Sequence, residues 1–304
     1  MYKVEVDVPA ALTHIGPGLH TVGLALNLHV HIEMSVRYDG DLSIRVAGEG
    51  ADRIPTDFTN PVLRAATRLF QTKEMAPPGL DIDITNHIPV DAGLDAKAAL
   101  LMGGLVAANN MTNHVFGRSQ LVALACEMGL QHVDALTAIL GGLNVCITDE
   151  DGYLMHKSLV PPPLRIVVVV PVLPDYPAQT QNALPELVTL DDAVFNMGRL
   201  VFMLDALVAG DFSLLARAMQ DRLYQNVYTQ HIPGFAQAAA AAQAEGAAVV
   251  TLASHGPTTL AFAAYNHEAI AGAMVGAFEA AGVAECRTWT LGIDGQGVTV
   301  SVLS

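Results

Sequence analysis

Residues 26–37 alternate almost without fault. Leu26, Leu28, Val30, Ile32, Met34 and Val36 fall on one side, and Asn27, His29, His31, Glu33, Ser35 and Arg37 on the other. A period of two over twelve residues excludes a helix and specifies a long strand with one face on a core. Such a strand needs antiparallel neighbours and helices to cover its apolar face. A second strand is expected over residues 80–85, after a helix that starts near Asn60 with Pro61 in its first turn.

The chain has 304 residues, with 30 acidic against 15 basic side chains and a formal charge of −15. Phosphate backbones need clustered Lys and Arg, so this balance argues against a nucleic-acid partner. Hydrophobic residues make up 52% and charged residues 15%. That is core-forming material, and disorder is excluded. No run approaches the roughly 20 apolar residues of a membrane helix. The first ten residues alternate like a strand and lack a signal-peptide layout, so a soluble, cytoplasmic protein is expected. Cys126, Cys146 and Cys286 are scattered in apolar surroundings and read as buried thiols.

Helices are expected over residues 96–111, 119–128 and 133–139, then a strand over 142–148. The Pro-rich PPPLRIVVVVPVLPDYP carries a buried strand over 165–172 and marks a domain boundary near residue 159. Beyond it come helices over 190–209, 212–224 and 233–244, then strand, strand, helix, strand, strand. Mixing without strict alternation indicates α+β rather than a doubly wound parallel sheet.

Three glycine-bearing segments stand out: VDVPAALTHIGPGLHTVGLALNL, IPVDAGLDAKAALLMGG and VVTLASHGPTTLAFAA. In order and spacing they resemble the three signature regions of the GHMP small-molecule kinases, and of homoserine kinases in particular. The similarity extends through LQHVDALTAILGGLNV and LDDAVFNMGRLVFMLDALVAGDFSLLARAMQDRL to IPGF, nearly the whole chain. It implies a two-domain α+β fold: a ribosomal protein S5 domain 2-like domain over residues 1–158 and a ferredoxin-like domain over 159–304, with the active cleft between them. Homodimers are common among such enzymes.

The resemblance also exposes departures. The family's glycine-serine loop, whose N–H groups cradle ATP phosphates, here reads Gly93-Leu94-Asp95-Ala96-Lys97, with Asp91 just before it. Asp95 is expected to cap the following helix and occupy the N–H groups that phosphate needs. Lys97 offsets this in part by reaching a phosphate. The family's first-motif asparagine and aspartate are replaced by His14 and His20, while His132 and Asp134 are kept. Two arginines that would clamp a substrate carboxylate align with Gln181 and Tyr228. In the third motif, Ser254 and His255 precede the retained Gly256.

On the resemblance, His14, His20, His132 and His255 line one cleft. With Asp134 they form a candidate catalytic set, and the four imidazoles a candidate site for a divalent transition metal. The expectation is therefore a homoserine kinase-like protein repurposed away from ATP, acting on a small polar metabolite as a lyase, isomerase or hydrolase. The alternative is an active kinase that phosphorylates homoserine or a similar alcohol with ATP and Mg²⁺. A second alternative is a non-catalytic binding protein.

Overall fold

The computed structural model describes residues 3–303 apart from 73, 76, 78, 151–153, 177–179, 181 and 182. Its centre is a seven-stranded sheet. Strands β1 (Lys3–Thr13) and β2 (Val22–Arg37) pair antiparallel, β4 (Gly79–Asn86) lies beyond β2, and β3 (Leu42–Gly48) runs parallel to β4 at the edge. The hairpin of β5 (Leu143–Thr148) and β6 (Leu154–Leu159) adds to the start of β2. The alternation read in residues 26–37 is real: Leu26, Val30, Ile32 and Met34 are fully buried, joined by Val4, Val6 and Val8 of β1.

The apolar face of this sheet carries α1 (Pro61–Thr72), α2 (Ala96–Met111), α3 (Arg118–Glu127) and α4 (His132–Leu140). Asn60 caps α1, its side-chain oxygen accepting from Val62 N at 2.9 Å. Helix α2 is buried nearly all round, which explains its uninterrupted apolar sequence. Its Gly104 lets α1 approach, since a Cβ there would collide with the Val62 carbonyl.

A second sheet has the order β10 (Cys286–Gly292), β7 (Arg165–Pro171), β9 (Thr259–Phe262), β8 (Val249–Leu252). The valine run of β7 serves two cores. Val167 and Val169 join Tyr224, Tyr228 and Phe278, while Ile166 and Val168 join the main core. A strand covered on both faces needs no polar alternation. Helices α5 (Leu190–Ala209), α6 (Phe212–Ala218), α7 (Gln225–Thr229), α8 (Phe235–Ala244) and α9 (His267–Ala280) complete this half. The last strand, β11 (Thr299–Leu303), crosses back and pairs with β1.

One helix expected over 212–224 is in fact broken. The Asp221 carboxylate accepts from the backbone N of Tyr224 (2.8 Å) and Gln225 (2.7 Å) and from Asn196 Nδ2 (2.6 Å). It thereby starts a new short helix and turns Tyr224 into the second core, where its hydroxyl reaches the His14 carbonyl. No described helix is long and apolar enough to cross a membrane.

Candidate active site

The three glycine-bearing segments, up to 240 residues apart in sequence, meet in one place: His14 Nδ1 lies 3.2 Å from Ser254 Oγ. Gly93, with φ +81°, packs against the third loop so closely that a Cβ would strike the Ala253 carbonyl. A Cβ on Gly256 would in turn strike the Ala92 backbone. Thr258 Oγ1 donates to the Ala92 carbonyl, and Ala11 N donates to Leu94 O at 3.3 Å. The glycine loop is thus held between β1 and the loop joining β8 to β9. Among the described residues nine non-glycines have positive φ. Five of them, His14, His20, Asp91, Asp95 and Ser254, sit on these three loops. Each such residue costs of order 1 kcal/mol or more, and strain of this kind gathers where geometry serves function.

Asp95 does not do what its position suggests. It takes φ +52° and makes no capping bond to α2. Half-buried as a residue, it turns its carboxyl inward, where Thr13 Oγ1 donates to Oδ2 at 2.7 Å. Burial and the neighbouring Asp134 raise its pKa well above the carboxylate range, and burial likewise raises that of Asp134. With the carboxyl held away, none of the described residues accepts from the N–H groups of Ala96, Lys97 and Ala98, and α2 presents an open positive end. Lys97 stands exposed on this first turn, close enough to act electrostatically on both carboxyls. Asp91 is no threat to an approaching phosphate either, because it is exposed and paired with Arg53 at 3.4 Å.

Beside the loop lies a cavity of about 300 Å³ between the two halves of the molecule, lined among others by Arg53, Val90, Ala92, Tyr176 and Arg287. Arg287 forms a two-pronged ion pair with Glu49 across the cleft. Sequence patterns could not locate this pocket, since its walls come from residues 238 apart whose only signal is ordinary charge.

Three of the four expected histidines come together. The His14 ring centroid lies 4.4 Å from that of His20 and 4.7 Å from that of His255, both edge to face, and Tyr228 stands 5.5 Å from His255. Tyr224 donates its hydroxyl to the His14 carbonyl, fixing that backbone. Burial, with His255 and His20 adding, pushes the His14 pKa down to about 2, and burial lowers that of His255. His14 Nε2 and Asp134 Oδ1 are buried without a partner among the described residues. Each such orphan costs about 1–3 kcal/mol.

His132 is not part of this cluster. Two residues from Asp134 on α4, it faces about 200° away, and it lines a separate cavity with Ser119, Val122 and His156. Two of the three ring pairs meet edge to face, and no group of three or more His, Cys, Asp or Glu among the described residues could hold a metal ion. The four-histidine metal site is therefore corrected to a three-imidazole cluster. Gln181 lies outside the described residues. Burial pushes the Cys126 and Cys146 thiols up to about 11, away from the reactive thiolate; only Cys146 is fully buried as expected, and Cys126 and Cys286 are partly exposed.

Comparison with known proteins bears on the same loops. The family model for the GHMP kinases N terminal domain matches residues 60–142, and that for GHMP kinases C terminal matches 203–280. A homoserine kinase of Moorella thermoacetica is 35% identical over 97% of this chain and 99% of its own length. One of Microchaete diplosiphon is 35% identical over 98% of this chain and 97% of its own. The crystal structure of homoserine kinase from Cytophaga hutchinsonii superposes with a TM-score of 0.87 at 24% identity, covering 98% of this chain and 97% of that one.

Proposed function

Because the chain belongs to the GHMP kinases, among their homoserine kinase-like members, we propose that it transfers the γ-phosphoryl group of ATP to the hydroxyl of homoserine. This corrects the expectation of a protein repurposed away from ATP. Near-full-length similarity to homoserine kinases at 35% identity stands against that expectation, and its physical basis, a capping Asp95, is absent.

The observation that carries the reading is the inward turn of Asp95. It leaves the N–H groups at the start of α2 and the Lys97 ammonium free for the phosphates of Mg-ATP. The 300 Å³ cavity continues from this loop and has room for the nucleoside end. Phosphoryl transfer asks mainly for positioning and for positive charge around the transferred group. On this reading Asp134 accepts the hydroxyl proton, a role that its raised pKa and its buried oxygen without a partner among the described residues support. ATP is a cytoplasmic substrate, and the proposal places the protein there.

The test is ADP release from Mg-ATP with L-homoserine as acceptor. Homoserine-dependent turnover that falls at least tenfold in Lys97→Ala is expected. No turnover together with no ATP binding would refute the reading.

A further inference from the structure

The kinase reading makes no use of the His14, His20 and His255 cluster, whose three rings pack within 6.3 Å of one another. Two atoms near it are orphans of different kinds. His14 Nε2 is buried with the residue only 2% exposed, and Asp134 Oδ1 is a buried acceptor. His20 links the two, since its ring packs against His14 and it lies near enough to Asp134 to act on it electrostatically. In the tautomer in which the Ser254 hydroxyl donates to His14 Nδ1, the His14 proton sits on Nε2, which meets no acceptor among the described residues. A ligand that fills this gap needs an acceptor at its histidine end and a hydroxyl at its Asp134 end.

An amino-acid substrate brings a carboxylate that must meet donors. The cations of the cleft are committed elsewhere. Arg53 is bonded to Asp91 and the Val90 carbonyl, Arg287 to Glu49, and Lys97 lies at the phosphate loop. Among the described residues no Arg or Lys is bonded to the three imidazoles; Ser254 Oγ lies within hydrogen-bond reach of His14 and His255, and the Tyr228 edge packs on His255. The groups facing the three rings are Ser254, Tyr224 and Tyr228, Asp134 from α4 and, acting on Asp134, Lys97 from α2.

We propose that His14, His20 and His255, with the Tyr228 edge, receive the substrate carboxylate, and that binding there draws a proton from solvent onto the imidazoles. This rests on the kinase reading for its choice of homoserine as ligand. An imidazole beside a carboxylate holds a proton more tightly, because an opposite charge favours its charged form. The proton comes from the buffer and stays on the cluster until the carboxylate leaves. A guanidinium clamp would need no such uptake, so pH separates the two designs.

The experiment is calorimetric titration of the whole protein with L-homoserine between pH 6 and 8, in two buffers of different ionisation enthalpy. Expected are a net uptake approaching one proton and a Kd that rises roughly tenfold per pH unit above the imidazole range. His20→Gln and His255→Gln, at less buried positions than His14, should weaken binding about tenfold at pH 6 and flatten the pH dependence. His255→Arg should restore binding at pH 8. A pH-independent Kd without proton uptake, wild-type affinity in both Gln variants, or no homoserine binding would each overturn the inference. Proton-linked binding without ADP release would refute the kinase reading alone, and ADP release with pH-independent homoserine binding would refute the inference alone.

Discussion

Thr13 Oγ1 donates to Asp95 Oδ2 at 2.7 Å, and this bond between the end of β1 and the residue before α2 decides what the glycine loop can hold. An aspartate at that point in the chain would ordinarily swing onto the first N–H groups of its helix. Here the buried strand end offers a donor in the other direction, and the helix start is left open.

Removing that donor should close the site. Thr13→Val is expected to release the Asp95 carboxyl toward α2 and weaken Mg-ATP binding about tenfold, whereas Asp95→Asn keeps the Thr13 bond and should hold ATP affinity within about threefold. Titration calorimetry of both variants checks this. Equal losses would show that the direction of the carboxyl is irrelevant.

Asp134→Asn preserves shape and removes the proton acceptor. A fall in kcat of about 10²–10⁴-fold, with KM for ATP within about threefold, is expected from loss of general-base assistance. Steady-state kinetics gives the answer, and a variant that lost only ATP affinity would assign Asp134 a different task.

Stability should fall on acidification through His14. Its folded pKa is about 2 against 6.5 unfolded, so below pH 6.5 the unfolded chain binds a proton that the native state refuses. Stability is lost as pH drops, at about 1.4 kcal/mol per unit for this one group. His255, also lowered, acts in the same sense. His31 acts oppositely: Asp7 and Glu33 raise its pKa against the effect of burial, so its contribution is full below pH 6.5 and disappears as pH climbs through the folded value. Denaturant melts between pH 4.5 and 8 should show a shallower acid limb in His14→Asn, a residue that tolerates φ +60°. An unchanged limb would mean that His14 is protonated in the native state.

Gly256→Ala places a Cβ against the Ala92 backbone. A loss of about 1–3 kcal/mol in stability is expected, with a larger effect on ATP binding than on the far sheet. Hydrogen exchange would locate the change, which should centre on residues 92–95 and 253–258.

Much of this molecule was legible from periodicity. The strand at residues 26–37 follows from spacing, because burial there acts on every second residue, and helix α2 and the double-faced valine strand follow from their uninterrupted apolar composition, because both are covered nearly all round. Two edge strands, β3 and β6, were not, since an edge places few demands on its sequence. The site was half legible. The resemblance brought the three loops together, and His14, His20 and His255 do meet. The part that failed was direction. Asp95 turns inward because Thr13 lies there, 82 positions away, and His132 turns outward because Asp134 turns in. Local propensity names a cap, but a distant hydroxyl decides whether it forms.

The most direct test of the central claim is phosphorus NMR of the protein incubated with Mg-ATP and L-homoserine, with ADP followed in parallel. The account predicts a new phosphate-ester resonance that grows one for one with ADP and is absent without homoserine. Unchanged ATP after prolonged incubation, with no saturable binding at millimolar Mg-ATP, would contradict it.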